Sequence, residues 1–343
     1  MPGSMRAIVM RAHGGPEVLR EEDFPDPVPR PGEVLVRVRA CALNHLDLWE
    51  RRGIERVPIP LPHISGSDVA GEVIDAGGGP IESGARVFLY PGLNCGSCSA
   101  CADGRENLCA SFDVLGLLSD GGYAEAVQVP GRNLIRIPDS IDFAAAAAFP
   151  LTFLTAWHML VTLARVRRGD DVLVLAGGSG VGQAAIPIAR LFGARVLATS
   201  APSKMDQTRA LGAEEVFDHY ADDFSRRVKA STRGRGVDIV IEHVGEATWD
   251  RSVRALARGG RLVTCGATTG PNATLDLRHL FGRQLSLIGS YMGSLNELKA
   301  AAVHFFEGRL KPAIDTIMPL ADAADAQRRL EAKAQFGKIV LEV

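Results

Sequence analysis

The chain has 343 residues, of which 46% are hydrophobic and 23% charged, and its formal net charge at pH 7 is -2. This length suffices for about two domains, and the composition is that of a globular protein with a sizeable core. The near-neutral charge argues against a dedicated nucleic-acid binder, and no apolar run is long enough to suggest a membrane span. The first residues, MPGSMRAIVM, do not resemble a secretory signal, so we expect a cytoplasmic protein.

The N-terminal part of the chain is predicted to be rich in β-strands. Short apolar runs, broken by Gly and Pro, are typical of strands and occur as EVLVRVRACAL, SDVAGEVIDAG, ARVFLYPG and YAEAVQVP. The alanine-rich stretch DFAAAAAFPLTFLTAWHML follows them and predicts helix. We therefore expect a β-rich first domain that ends near residue 150.

The following part of the chain alternates strand and helix patterns. DVLVLAGGSGVGQAAIPIARLFGARVLATS predicts a buried strand, a glycine turn, a helix and a second strand. VDIVIEHVG and GRLVTCGATTG predict further strands, with a helical pattern in WDRSVRALARGG between them. This alternation predicts an α/β domain with a doubly wound parallel sheet over residues 151–297. The last strand pattern, FGKIVLEV, should return residues 298–343 to the first domain, which would consist of residues 1–150 and 298–343.

The glycine turn of the α/β domain predicts a dinucleotide site. It lies between a strand and a helix and comprises Gly177, Gly178, Ser179, Gly180, Val181 and Gly182. Glycines allow backbone to approach a pyrophosphate, and the helix N-terminus offers N–H donors. Ser179 departs from the G-x-G-x-x-G pattern, and a tight turn without a ligand is the structural alternative.

The end of the second strand indicates which cofactor is bound. NAD enzymes usually carry an acidic residue there, whereas this chain has Thr199 and Ser200, followed by Ser203 and Lys204. Hydroxyls and a lysine suit a 2′-phosphate, so NADP(H) is favoured over NAD(H). The alternative for Lys204 is a solvated lysine at the start of a helix.

Four cysteines in one short segment predict a metal site. Cys95, Cys98, Cys101 and Cys109 have the spacing C-x2-C-x2-C-x7-C. Four thiolates close a tetrahedral shell around Zn²⁺ without an open position, which predicts one structural zinc per chain in residues 92–112. The rival interpretations are an iron–sulfur cluster, whose usual spacing differs, and disulfides, which a reducing compartment disfavours.

The cysteine segment, the glycine turn and the ending FGKIVLEV together make the whole chain resemble the medium-chain dehydrogenase/reductase superfamily. The resemblance implies a GroES-like, barrel-containing N-terminal domain, a Rossmann domain and an active site between them. It also implies a structural zinc at the four cysteines and assembly as a homodimer or homotetramer, with a dimer contact along the strand in IGSYMG. Residues expected near the nicotinamide are Val244, Gly245, Gly266, Ala267, Ser290 and Met292.

The positions of the catalytic zinc ligands in this superfamily carry other residues here. Members that use a catalytic zinc have a Cys after the early strand, a GHE motif and a later Cys or Asp. This chain has Asn44, then Gly66, Ser67 and Asp68, and finally Thr152. Such a set suits Zn²⁺ poorly, because zinc prefers nitrogen and sulfur ligands. ALNHLDL instead resembles the LN-x-x-D segment of quinone oxidoreductases and related alkene reductases.

We therefore expect an NADPH-dependent oxidoreductase that transfers hydride to a quinone or an α,β-unsaturated carbonyl compound without a catalytic metal. Asn44, Ser67 and Thr152 are candidate hydrogen-bond donors to the substrate. Asp47 and Asp68 are candidates for orienting them, and each of these residues also has a purely structural interpretation. His45 is a candidate cofactor-phosphate contact or acid, or a histidine at the surface.

Two alternatives remain open from sequence. The first is an alcohol dehydrogenase whose catalytic zinc uses unexpected ligands, for which His45, His63 and Asp68 are the nearest candidates. The second is a non-catalytic NADPH-binding redox sensor that has kept the fold, because a fold alone does not prove an activity.

Overall fold

The computed structural model describes residues 3–77, 81–220 and 223–343. The strands are β1 (Ser4–Met10), β2 (Leu19–Pro25), β3 (Glu33–Ala42), β4 (Asp68–Asp75), β5 (Arg86–Leu89), β6 (Gly92–Leu93), β7 (Asp113–Val114), β8 (Ala126–Pro130), β9 (Leu134–Arg136), β10 (Asp171–Val174), β11 (Arg195–Ser200), β12 (Glu215–Asp218), β13 (Val237–Glu242), β14 (Leu256–Thr264), β15 (Ser286–Gly289), β16 (Ile314–Pro319) and β17 (Lys338–Glu342). The helices are α1 (His45–Arg52), α2 (Ser99–Ala102), α3 (Phe143–Ala147), α4 (Pro150–Trp157), α5 (Gly180–Leu191), α6 (Met205–Ala210), α7 (Phe224–Ser231), α8 (Trp249–Ala255), α9 (Leu277–Arg283), α10 (Leu295–Phe306) and α11 (Ala323–Glu331).

The chain folds into two compact units. The first comprises Met1–Leu151 with Ser294–Val343, and the second comprises Thr152–Gly293. The sequence places these boundaries near residues 150 and 298. No helix in the part of the chain that the structure describes is both long and apolar enough to cross a membrane.

The second unit is built on a six-stranded parallel sheet with the order β12-β11-β10-β13-β14-β15. Most side chains of its central strands β10 and β13 are buried and apolar, as expected for strands that are covered on both faces. The predicted parallel α/β sheet is therefore confirmed. The carboxyl ends of β10, β13 and β14 are adjacent, which places the glycine turn beside the segments that follow Glu242 and Thr264.

One predicted helix is shorter than its sequence pattern. The helical pattern WDRSVRALARGG extends to Gly260, whereas α8 ends at Ala255 and Leu256 begins β14. Leu256 pairs with Val237 of β13, and this pairing replaces the helical hydrogen bonds. Gly259, with φ +72°, and Gly260 also disfavour a continued helix.

The main sheet of the first unit combines the two chain segments. Its path is β16-β17-β3-β4-β5-β9, and β8 also pairs with β3. The C-terminal strand β17, which lies in FGKIVLEV, pairs antiparallel with β3. A buried apolar cluster, which includes Ile64, Val87 and Ile339, covers this sheet.

The strand register brings three distant polar residues to one edge of this sheet. Val340 of β17 pairs with Ala42 of β3, and Ala42 pairs with Asp68 of β4. Antiparallel register then sets Lys338 opposite Asn44, which lies two residues after the end of β3. The start of β17, the end of β3 and the start of β4 therefore meet at one place.

Candidate active site and metal centre

Asn44, Asp68 and Lys338 form a buried polar cluster, which we call the Lys338 cluster. Lys338 Nζ donates to Asn44 Oδ1 at 2.7 Å and to Asp68 Oδ2 at 2.8 Å. Asn44 Nδ2 donates to the same Asp68 oxygen at 3.0 Å. The Lys338 and Asp68 side chains are 2% and 0% exposed. A buried charge of this kind is stable only when it is paired and hydrogen-bonded, as each member is here.

The cluster gives Asn44 partners that sequence analysis did not foresee. Its carbonyl oxygen accepts from Lys338, and its amide nitrogen donates to Asp68 and, at 3.5 Å, to Ala42 O. Asp68 Oδ1 accepts from the Leu151 N–H at 2.7 Å. Asn44 and Asp68 therefore orient one another and the ammonium group. Sequence analysis missed Lys338, although a lysine at the head of the apolar run Ile339–Leu341 was a signal.

Asp47 lies directly beside this cluster on the first turn of α1. Its Oδ2 accepts from Tyr123 Oη at 2.6 Å and from the Asn44 N–H at 3.0 Å, while its buried Oδ1 has no partner. Burial raises the pKa of Asp47 from 3.8 to about 6, although both of these hydrogen bonds act to lower it. Burial also raises the pKa of Glu50, one helical turn later. Asp47 therefore caps α1 and fixes the backbone of Asn44.

The other catalytic candidates contribute buried hydroxyls. Ser67 Oγ and Thr152 Oγ1 are buried and have no hydrogen-bond partner in the structure. Ser67 precedes Asp68 in the first unit, and Thr152 begins the second unit directly after Leu151. His45, the first residue of α1, packs edge-on against Trp49 with ring centroids 5.1 Å apart.

The alternative catalytic zinc ligands do not converge. His63 Nε2 lies 2.7 Å from Gly116 O, and burial lowers the pKa of this imidazole. Within the described residues, the one group of three or more His, Cys, Asp or Glu side chains close enough to hold a metal ion is Cys95, Cys98, Cys101 and Cys109. His45, His63 and Asp68 are therefore not brought together as a metal site in the part of the chain that the structure describes.

The four cysteines form a centre that fits a zinc ion. Their Sγ atoms lie within 4.8 Å of one another, and three of the separations are 3.5, 3.5 and 3.9 Å. A tetrahedron with Zn–S bonds of 2.3 Å has edges of about 3.8 Å, so the sulfurs are spaced as zinc requires. Antiparallel pairing of Gly92–Leu93 with Asp113–Val114 closes the base of this lobe. N–H groups of Ser97 and Cys98 lower the pKa of Cys95 to about 5, which favours the thiolate.

The glycine turn lies between β10 and α5 as predicted. A Cβ on Gly182 would lie 2.3 Å from Ala176 O, and a Cβ on Gly177 would lie 2.5 Å from Thr208 Cγ2, so both positions need glycine. Ser179 is the N-cap of α5, and its Oγ accepts from the Gly182 N–H at 3.0 Å. The turn is thus built as a close-approach loop at the N-terminus of a helix.

Two of the predicted 2′-phosphate contacts are used inside the fold. Thr199 is 0% exposed, and its Oγ1 accepts from the Ala176 N–H at 3.0 Å. Ser200 is 1% exposed, and its Oγ accepts from Thr208 Oγ1 at 3.2 Å. Ser203 is exposed and Lys204 is half-buried. Of the four predicted 2′-phosphate contacts, Ser203 and Lys204 are therefore the two whose side chains are not fully buried.

The predicted nicotinamide-side residues follow three neighbouring strands of the parallel sheet. Val244 and Gly245 follow β13, Gly266 and Ala267 follow β14, and Ser290 and Met292 follow β15. Gly245 has φ +91°, and a Cβ there would lie 2.8 Å from Gly270 O. These residues therefore share the carboxyl edge of the sheet, where ligands bind in such folds.

Glu242, which sequence analysis missed, holds the segment after β13 in place. Its buried carboxylate accepts from the N–H groups of Val244 and Gly245 at 2.6 and 3.1 Å. It also accepts from Thr248 Oγ1 at 3.0 Å and from Ser252 Oγ at 2.5 Å. One carboxylate thus fixes both the loop and the start of α8.

Comparison with known proteins gives matches along the whole chain. Residues 30–139 match the family model of the alcohol dehydrogenase GroES-like domain, and residues 180–308 match that of the zinc-binding dehydrogenase. A solved structure described as an NAD-dependent alcohol dehydrogenase is 47% identical with a TM-score of 0.96, and the match covers 99% of this chain and 100% of that one.

Curated relatives add quinone oxidoreductases. The quinone oxidoreductase of Pseudomonas aeruginosa is 32% identical, with 98% of this chain and 99% of the relative covered. That of Pongo abelii is 31% identical, with 98% and 97% covered. The GroES-like first domain and the parallel-sheet second domain agree with these matches. The chain belongs to the medium-chain dehydrogenase/reductase superfamily and is an oxidoreductase of that type.

Proposed function

We propose that this protein is an NADPH-dependent reductase of quinones or α,β-unsaturated carbonyl compounds that works without a catalytic metal. The observation that carries the proposal is the position of Lys338. Its ammonium group binds both Asn44 and Asp68, the residues that stand at two ligand positions of the zinc-using relatives. A positive charge already resides between them, so these side chains are not available as ligands to Zn²⁺.

The remaining chemistry favours an acceptor that spreads negative charge. Bound NADPH supplies a hydride, and a quinone or enone delocalises the charge that develops on its oxygen. Such an acceptor needs orientation and a few hydrogen bonds, whereas a simple carbonyl needs a strong electrophile such as zinc. In the first unit, the buried and unpartnered hydroxyl of Ser67 is suited to donate to a substrate oxygen.

The cysteine lobe is proposed to hold one structural Zn²⁺. Cys95, Cys98, Cys101 and Cys109 would supply four thiolates and complete the coordination shell. The ion would then stabilise the lobe between β6 and β7 and would take no part in hydride transfer.

NADP(H) is proposed over NAD(H) on the strength of Ser203 and Lys204. Neither Thr199 nor Ser200 at the end of β11 is acidic, so no carboxylate on this strand end repels a 2′-phosphate. The 47% identical neighbour is described as NAD-dependent, so the test must compare NADP(H) with NAD(H).

Alcohol oxidation is the second candidate function. The 47% identical neighbour is described as an alcohol dehydrogenase, which favours this function. Its sequence identity to this chain also exceeds the 32% of the quinone oxidoreductase of Pseudomonas aeruginosa. If alcohols are substrates, the Lys338 cluster should perform the task of the electrophile in place of zinc.

The experiment compares the two reactions in one preparation. Oxidation of NADPH and NADH is followed with a simple quinone and a simple enone, and reduction of NADP⁺ and NAD⁺ with primary and secondary alcohols. The proposal expects turnover with quinone or enone and a preference for NADPH. Turnover with an alcohol that exceeds turnover with the quinone and with the enone would contradict the proposal. A clear preference for NADH would contradict it as well. Cofactor binding without any turnover would favour a redox sensor.

A further inference from the structure

We propose that His243 is a positioning residue that turns the Ser179 hydroxyl hydrogen toward the pyrophosphate of the bound dinucleotide. This inference rests on the proposed function, namely that the glycine turn binds such a cofactor. It assigns a role to a histidine that is not among the predicted site residues.

His243 connects the end of one strand with the turn that follows another. It comes directly after β13, and its Nε2 lies 2.9 Å from Leu175 O and 3.3 Å from Ser179 Oγ. Leu175 directly follows β10, and Ser179 caps α5. The side chain is buried, and burial lowers the pKa of the imidazole. One ring nitrogen therefore faces both ends of the glycine turn.

The partner at 2.9 Å fixes the tautomer of His243. A carbonyl oxygen only accepts hydrogen bonds, so Nε2 must carry a hydrogen when it faces Leu175 O. If Nε2 carried no hydrogen, its lone pair would face a lone pair of Leu175 O inside the protein, which is unfavourable. The protonated ring also carries hydrogen on Nε2, so this conclusion holds in both charge states.

The tautomer in turn fixes the direction of the Ser179 hydroxyl. Because Nε2 carries its one hydrogen toward Leu175 O, it has no lone pair with which to accept a hydrogen bond from Ser179 Oγ, which lies 3.3 Å away. Ser179 Oγ itself accepts from the Gly182 N–H at 3.0 Å. Neither His243 Nε2 nor the Gly182 N–H can accept the hydroxyl hydrogen of Ser179, so this hydrogen points away from both. Ser179 is half-buried rather than enclosed, so a ligand can reach this hydrogen.

A hydrogen aimed outward from the N-cap of α5 suits an anionic oxygen. The neighbouring backbone N–H groups and the helix dipole favour negative charge at the same place. A serine whose hydroxyl were free to rotate would spend part of its time donating to groups inside the protein. His243 prevents this and so prepares the turn for a phosphate.

The test is a double-mutant cycle on NADPH and NADH affinity, measured by titration of nucleotide fluorescence. Ser179→Ala removes the donor, and Ser179→Thr is its matched control. His243→Leu removes the orienting group, and His243→Gln restores an N–H toward Leu175 O. We expect Ser179→Ala to weaken binding about tenfold to a hundredfold, the range for a hydrogen bond to a charged group. His243→Leu should weaken binding about tenfold, and His243→Gln and Ser179→Thr by much less.

The decisive result is the behaviour of the double variant. A positioning role expects His243→Leu to have almost no further effect in the Ser179→Ala background, since the hydroxyl that it orients is gone. Additive losses would overturn the inference and leave the proposed function intact. If His243→Leu does not fold, His243→Asn, which is too short to reach Leu175 O, replaces it. Failure of the wild-type protein to bind either nucleotide would instead overturn the proposed function and the inference together.

Discussion

Replacement of Lys338 by Met tests the energetic importance of the Lys338 cluster. Methionine has a similar length but removes the ammonium group from between Asn44 and Asp68. Asp68 would keep the N–H of Leu151 and the amide of Asn44, yet it would lose its only buried counter-charge in the cluster. Removal of one partner from a buried ion pair costs about 3–5 kcal/mol. Asn44 Oδ1 would also lose its donor, so we expect a loss of at least about 3 kcal/mol.

The measurement is the free energy of unfolding in urea, with Lys299→Met as the matched control. Lys299 lies exposed on α10 of the same unit, so its replacement should change stability by no more than about 0.5 kcal/mol. Combining Lys338→Met with Asp68→Asn removes both charges. The double variant should be more stable than the sum of the two single losses predicts, by about 0.5–3 kcal/mol.

Unchanged stability of Lys338→Met would refute this reasoning, because it would mean that the ammonium group does not balance Asp68. Strict additivity of the two replacements would refute it as well. NADPH oxidation by Lys338→Met at full wild-type rate, with stability lowered as expected, would limit the cluster to a structural role.

Three further predictions concern other buried or cofactor-facing groups. The Asp47 pKa, raised from 3.8 to about 6, contributes stability at low pH that is lost as pH rises through about 6. The loss between pH 4 and pH 7 amounts to about 2 kcal/mol. The free energy of unfolding of the wild type, measured in urea relative to that of Asp47→Asn, should therefore fall over this range, and a difference that does not change with pH would contradict the prediction. Lys204→Ala should weaken NADPH binding about tenfold and leave NADH binding unchanged, with Ser203→Ala as a milder companion; equal losses for both nucleotides would speak against a 2′-phosphate contact. Glu242→Gln should lower the free energy of unfolding by about 1–3 kcal/mol and weaken cofactor binding, because an uncharged amide oxygen is a weaker acceptor for the loop N–H groups than a carboxylate, and an amide nitrogen replaces an oxygen that accepts from Ser252; unchanged binding would exclude a role for this loop in the cofactor site.

Features that depend on short spacing could be predicted from the sequence. The four cysteines lie within one lobe, and the glycine turn is a local strand–turn–helix unit, so residue type and spacing suffice to indicate them. The parallel sheet followed from the alternation of buried strands and helices. For the cysteines and the glycine turn, neighbours in sequence are also neighbours in space.

Features that depend on long-range register could not be predicted in this way. Lys338 meets Asn44 only because β17 pairs with β3 in one particular register. His243 reaches Leu175 and Ser179 because the strand order of the sheet sets β13 beside β10. Glu242 acts on groups that are close in sequence, but it belongs to no motif that would have marked it. Thr199 was expected to face the cofactor, but its buried strand is covered on both faces, and its hydroxyl bonds the turn instead.

The zinc content per chain tests the central claim most directly. Elemental mass spectrometry would be applied to desalted, chelator-free preparations of the wild type and of Cys95→Ser. With a zinc-filled cysteine lobe and an ammonium group at Asn44 and Asp68, we expect about one zinc per wild-type chain and close to none in Cys95→Ser. About two zinc ions per wild-type chain, with one retained in Cys95→Ser, would contradict the account, because a metal would then occupy a site that we assign to Lys338.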